Sequence, residues 1–194
     1  ELTKLYEQNI FSVSEEVWAS DTERVDVVIF LNGLAIMAFE LKSNAAGQSY
    51  QDAIYQYRTE RDPKTRLFRW KSGVLVCFAM DPFNQGKGEG IDTGAGNPIL
   101  EDDYSVHYMW DNILQKDSVL EIISKFMFIE VKEKLDNVTQ KVKRSETVIF
   151  PRYHQLDCIR KTLADVKENG SSLNYLIQHS AGSGKTNSIS WLAH

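Results

Sequence analysis

Residues 24–42, RVDVVIFLNGLAIMAFELK, constrain this chain more than any other stretch. Two runs rich in β-branched and aliphatic side chains, 25–31 and 34–41, flank Asn32-Gly33. Asn-Gly is the strongest short signal for a tight β-hairpin, because both residues tolerate the positive φ such a turn requires. The hairpin carries Asp26 on its first arm and Glu40-Leu41-Lys42 at the end of its second. Side chains alternate along a strand, so Glu40 and Lys42 share a face. A regular two-residue loop would pair Leu31 with Leu34, and therefore Asp26 with Phe39. Asp26 and Glu40 would then lie on opposite faces. Bringing the two carboxylates together demands an odd offset: either a three-residue loop with Gly33 left-handed, or a bulge in one strand.

Two carboxylates and a lysine on adjacent strands suit metal-dependent phosphodiester cleavage. Asp26 and Glu40 would hold Mg²⁺, which activates water and neutralises charge on the scissile phosphate. Lys42 would orient the water or stabilise the transition state. The competing reading leaves Asp26 at the start of one strand and Glu40–Lys42 at the solvent edge of another, with no chemistry between them. Residues 48–60 (QSYQDAIYQYRTE) read as a helix ended by Asp62-Pro63. Arg58, Arg61, Lys64, Arg66, Arg69 and Lys71 form a dense basic stretch that suits backbone phosphates. Residues 73–80 (GVLVCFAM) read as a buried strand, and the glycine-rich 84–98 as loop.

Further on, Ser118 is a candidate helix cap with Glu121 completing a capping box. Leu120, Ile123, Phe126 and Met127 give that helix an apolar stripe. Residues 132–147 are charged and poor in large apolar groups, which predicts a boundary between a domain 1–147 and a second unit 148–194. The second unit reads as a helix at 153–168 stopped by Gly170, a strand at 173–178, then the loop QHSAGSGKT at 178–186 and a helix from near Lys185. Gly182, Ser183, Gly184, Lys185 and Thr186 are the second half of a phosphate loop. Its backbone N–H groups would cradle the phosphates of ATP, Lys185 would reach the β- and γ-phosphates, and Thr186 would ligate Mg²⁺. His179 stands where the general pattern has its first glycine. Upstream, Arg152 and Gln155 form a candidate adenine-reading element, since a carboxamide can serve both the ring acceptor and the exocyclic amine. No Walker B acid follows before His194, so this stretch is not expected to hydrolyse ATP well.

Composition excludes several classes. The 194 residues allow one domain plus a fragment, and a charged share of 25% is that of a globular chain. No apolar run reaches membrane-spanning length, and the opening ELTKLYEQNIF has no secretory h-region. The chain begins at glutamate, so residues upstream are expected. Two isolated cysteines fit a reducing cytoplasm. A net charge of −5 argues against binding nucleic acid through overall positive charge and leaves a local site open. No Cys/His spacing supports zinc.

The hairpin followed by its helix resembles the PD-(D/E)xK nuclease core, with Val-Asp here where the name has Pro-Asp. Gln56, mapped through Ala53-Ile54, matches the glutamine of the family's glutamine-and-tyrosine box; Glu60 stands at the usual tyrosine and Tyr57 is the nearest substitute. The resemblance thus implies Gln56 and Tyr57 as further catalytic candidates, and Gln51 and Tyr55, which have the i, i+4 spacing, leave the register open. Phe150–Gln155 and the phosphate loop resemble the corresponding elements of superfamily 2 helicases. Together with LNGL, ELK, QYRTERDP, PFNQGKGEG, GAGNP, ETVIFPRYHQLD and YLIQHSAGSGKTNSISWLAH, the chain resembles the amino-terminal part of type I restriction enzyme R subunits over essentially its whole length. The resemblance implies an α/β fold: a mixed central sheet flanked by helices, then the first segment of a RecA-like domain. It further implies Mg²⁺- and ATP-dependent cleavage of double-stranded DNA beside methyltransferase and specificity subunits. Relatives have a further strand and loop before the PFNQG segment, so residues are expected to be missing between Asp81 and Pro82. Two alternatives stand beside this: another superfamily 2 translocase with a non-catalytic nuclease-like docking domain, or a pure docking module.

Overall fold

The Asn32-Gly33 turn forms as its residues dictate, with φ of 51° and 80°. It joins β2 (Arg24–Leu31), which starts one residue before the predicted run, to β3 (Leu34–Leu41), which matches it. The computed structural model describes residues 2–80, 91–92, 109–135, 142–171 and 173–193. These fall into two compact units, 1–116 and 117–194. The Asp81–Pro82 junction, the PFNQGKGEG and GAGNP motifs and most of the predicted loop 84–98 lie outside the described residues.

In the first unit, helix α1 (Leu2–Glu7) leads into β1 (Phe11–Trp18), which pairs antiparallel with β2. Beyond the hairpin, Ser49 caps helix α2 (Tyr50–Thr59): its hydroxyl accepts from the Gln51 N–H while Asp52 accepts from the Ser49 N–H. This capping box satisfies two of the donors a helix start leaves unpaired. The chain returns in β4 (Val76–Met80), parallel to β3, and Ile91–Asp92, read from sequence as loop, adds a short antiparallel strand β5. The order among the described strands is β1-β2-β3-β4-β5, a mixed sheet. Val28, Ala38 and Leu67 are buried in one apolar cluster between the sheet and the segment after α2. Phe39 stacks on Phe78 at 5.0 Å between centroids, with Trp110 beyond it at 6.5 Å. Phe39 and Phe78, both fully buried, contribute about 1.5–3 kcal/mol each, whereas Trp110 is partly exposed.

The second unit departs from the sequence reading in four places. Helix α3 spans Lys116–Glu121 and continues as a π-helical turn, Ile122–Phe126, with the Met127 N–H donating to the Ile122 carbonyl. Ser118 therefore lies inside the helix rather than at its cap, buried, its hydroxyl accepting from Arg160 at 2.8 Å. The wide turn rotates the stripe: Val119, Ile122 and Phe126 are the buried residues, and Leu120, Ile123 and Met127 are only half-buried. The charged stretch expected to mark a boundary at 147 is a hairpin of β6 (Phe128–Leu135) and β7 (Val142–Ile149), so that boundary falls inside a strand, and the compact units part at 116/117. Scarcity of apolar groups here reflects an exposed ribbon whose charges pair along it, as Lys132 with Glu130 and Arg144 with Glu146. Helix α4 (Tyr153–Asn169) then ends at Gly170, φ 81°. Residues 173–178 carry no regular structure instead of the predicted strand, because no described segment offers them a ladder. Helix α5 (Lys185–Ala193) follows.

Candidate functional site

The register of the central hairpin decides whether a site exists. Leu31 pairs with Leu34 and Phe30 with Ala35, but Ile29 pairs with Met37, so Ile36 is the extra residue of a bulge in β3. From there Val28 meets Ala38 and Val27 meets Phe39. Continuing the register sets Asp26 opposite Glu40. Of the two devices able to correct the parity, the protein uses the bulge and keeps a two-residue turn. The Asp26 carboxylate reaches across to β3, where Oδ2 accepts from the Leu41 N–H at 2.7 Å.

Glu40 is buried, 1% exposed, in the middle of the mixed sheet. Burial pushes its carboxyl above the usual glutamate range, more than Arg61 beside it pulls it down; Asp26 adds to the rise. Lys42, one pleat further on, holds its ammonium 3.9 Å from Glu40 Oε2 and donates to Gln56 Oε1 at 2.6 Å. Ala53, fully buried, marks the face of α2 turned inward, and Gln56 follows it at helical spacing. Gln56 meets Lys42, whereas Gln51 and Tyr55 are exposed. Tyr57 packs edge-on against Phe68 at 6.1 Å, its hydroxyl buried without a hydrogen-bond partner among the described residues. Burial, first, and the nearby Cys77 raise that phenol. Burial likewise pushes the Cys77 thiol up to about 12. Both side chains are therefore neutral, and neither is poised as a base.

Arg61 is the site residue that the sequence left among a crowd of cations. Its Nη2 pairs with Glu40 Oε1 and also donates to the Arg24 carbonyl at 2.8 Å. The adjoining Asp62 N–H donates to the Glu23 carboxylate, so the segment after α2 is clamped to the start of β2. The available signal was the helix-ending Asp62-Pro63, which turns Arg61 back toward the strands. Arg58, Lys64, Arg66, Arg69 and Lys71 are exposed. Among the described residues, no group of three or more His, Cys, Asp or Glu is arranged to hold a metal ion. Asp26 and Glu40 are a pair of oxygen donors only, which fits an ion such as Mg²⁺ that keeps several waters.

The second unit holds the glycine-rich loop that the sequence reads as a phosphate loop. Gly182 and Gly184 take φ of 77° and 79°, and Thr186 is exposed at the second position of α5. Lys185 is turned back, donating to the carbonyls of His179 and Ser180 at 3.1 and 2.8 Å. The Ser183 hydroxyl is buried and finds no partner among the described residues. Gln155 is placed differently from the adenine-facing residue expected. It is 3% exposed, its Oε1 accepts from the Arg152 N–H, and its Nε2 donates to the carbonyls of Ser183 and Gly184. In this arrangement the carboxamide ties the start of α4 to the loop, and none of it faces outward to read a base. His154 shares the task, its Nε2 lying 3.1 Å from the Ser183 carbonyl, and burial holds its imidazole below the ordinary range.

Comparison with known proteins agrees with the first unit's geometry. Residues 3–81 match the sequence model of a family described as type I restriction enzyme R protein N terminus. The whole chain is similar to a protein of Methanocaldococcus jannaschii provisionally named type I restriction enzyme MjaVIIIP endonuclease subunit, 26% identical over 206 residues. That alignment takes in 98% of this chain and 19% of the relative. A second protein of that organism, provisionally named type I restriction enzyme MjaIXP endonuclease subunit, is 26% identical over 96 residues, covering 50% of this chain and 8% of itself. The chain thus spans about a fifth or less of the length of these relatives. No helix among the described residues is long and apolar enough to cross a membrane.

Proposed function

We propose that the first unit carries the DNA-cleaving centre of a type I restriction R-type subunit, and that the second unit contains the opening of its ATP-driven motor. The observation that carries this is the bulge at Ile36, which sets Asp26 and Glu40 on one face beside Lys42 and Gln56. A docking module has no need of such convergence. Asp26 and Glu40 would hold Mg²⁺, which when bound supplies charge neutralisation and an activated water. Lys42 is held by Gln56 at the site's edge, oriented to stabilise charge on an attacked phosphate. The exposed cations Arg58, Lys64, Arg66, Arg69 and Lys71 would fix the DNA backbone. In the second unit Lys185 would leave the His179 and Ser180 carbonyls to meet the nucleotide's phosphates, with Thr186 toward its Mg²⁺. The partners that follow are double-stranded DNA and the methyltransferase and specificity subunits.

The test is cleavage of plasmid DNA by the full-length subunit reassembled with those partners, wild type against Lys42→Ala. Cleavage should fall roughly 10²–10³-fold while ATP hydrolysis is retained. Unchanged cleavage would place the nuclease elsewhere and leave the hairpin a structural element.

A further inference from the structure

Glu40 carries a second cation that phosphodiester cleavage does not require. The side chain of Arg61 is 7% exposed and that of Glu40 2%. Arg61 engages Oε1, and Lys42 faces Oε2 at 3.9 Å, so each oxygen of Glu40 is turned to a positive group. The charges of Asp26, Glu40, Lys42 and Arg61 sum to zero. A divalent cation approaching this site meets no net attraction from these four groups, and it finds Oε1 already bonded to a guanidinium and Oε2 facing an ammonium. Arg61 has somewhere to go: Nη2 already bonds the Arg24 carbonyl, and its buried Nε has no partner among the described residues. A DNA phosphodiester entering the site adds the negative charge that is lacking.

From this we infer that Arg61 is a positioning residue that guards the metal-binding edge of Glu40. The site takes up a divalent cation weakly when empty of DNA and more tightly once a phosphodiester is present. Cation loading is thereby coupled to DNA engagement, which keeps the centre disarmed on a free subunit. The inference rests on the nuclease reading above.

The test uses the full-length subunit without nucleotide, with Mn²⁺ replacing Mg²⁺ and free Mn²⁺ counted by electron paramagnetic resonance. Titrations are run with and without a short phosphorothioate duplex. Wild type should bind Mn²⁺ roughly tenfold more tightly with the duplex, and Arg61→Met should gain about the same factor without it. Arg61→Lys keeps the charge but cannot span Glu40 and the Arg24 carbonyl, so it should gain a smaller factor. That arm decides the matter if melting shows Arg61→Met to be unfolded. Glu40→Gln should lose the duplex-dependent site. If Arg61→Lys and Arg61→Met bind no more tightly than wild type while Glu40→Gln loses the site, the guarding role is overturned and the nuclease reading stands. If Glu40→Gln binds Mn²⁺ like wild type with duplex present, the nuclease reading itself fails.

Discussion

Removing the Arg61 charge should loosen the central sheet more than any surface change in the basic stretch. Arg61→Met leaves the buried Glu40 carboxylate with Lys42 at 3.9 Å and with Asp26 repelling it. Breaking a buried pair by removing one partner costs about 3–5 kcal/mol, a large part of the 5–15 kcal/mol that holds a typical domain. Glu40→Gln alone keeps an amide oxygen for Arg61 and costs less, about 1–3 kcal/mol. The double variant removes both charges, so its loss should fall short of the sum by about 1–3 kcal/mol. The assay is hydrogen–deuterium exchange by mass spectrometry in the full-length chain, followed on peptides covering 34–41 and 50–61. A loss of about 3 kcal/mol speeds exchange roughly a hundredfold where local opening controls it. Exchange within about fivefold of wild type in Arg61→Met, or strict additivity in the double variant, would refute the reasoning by showing that water compensates the unpaired carboxylate.

Three further outcomes follow from other parts of the structure. A Cβ at Gly184 would sit 2.4 Å from Gln155 Nε2 at φ +79°, whereas one at Gly182 meets open space at φ +77°. Backbone strain is common to both, so Gly184→Ala should weaken nucleotide binding at least about tenfold more than Gly182→Ala through loss of the Gln155 bonds; equal effects in a fluorescent-nucleotide titration would contradict this. Because burial raises the Glu40 carboxyl above 4.5, its stabilising contribution is complete below that value and falls as pH rises through the folded one. Glu40→Gln should lack that decline, read as exchange of residues 34–41 across the same pH steps, and an identical slope in both proteins would remove Glu40 as the cause. Deleting Ile36 erases the bulge, so either Asp26 and Glu40 part to opposite faces or the two-residue turn is broken. Cleavage should be lost, and a deletion variant that cuts DNA at the wild-type rate would show that the register does not build the site.

Much of the first unit was legible in its residues. Asn32-Gly33 specified the turn because its φ values suit few other pairs, and Ser49 with Asp52 specified the start of α2 through a local capping box. The parity of Asp26 and Glu40 even demanded an irregularity. The glycines of the phosphate loop were equally local, since Gly182 and Gly184 do adopt positive φ. The second unit was read less well where structure depended on partners. Residues 132–147 looked like the mark of a domain boundary because charge was counted without the strand pairing it takes part in, and 173–178 looked like a strand without a neighbour to bond.

Local backbone preference and side-chain alternation travel with the chain, and so they placed the hairpin, the helix after it, Lys42 with Glu40, and the positive-φ turn at Gly182 and Gly184. Only packing chose a bulge at Ile36 over a longer turn, since either corrects parity and the choice rests on how Met37, Ala38 and Phe39 fill the interior. Only packing drew Arg61 out of its run of cations, because burial depends on the angle at which the chain leaves α2. The carboxamide of Gln155 turned inward for the same reason: its Nε2 donates to backbone carbonyls 28 and 29 residues away in sequence, which no local pattern encodes, while only its Oε1 is met locally by the Arg152 N–H.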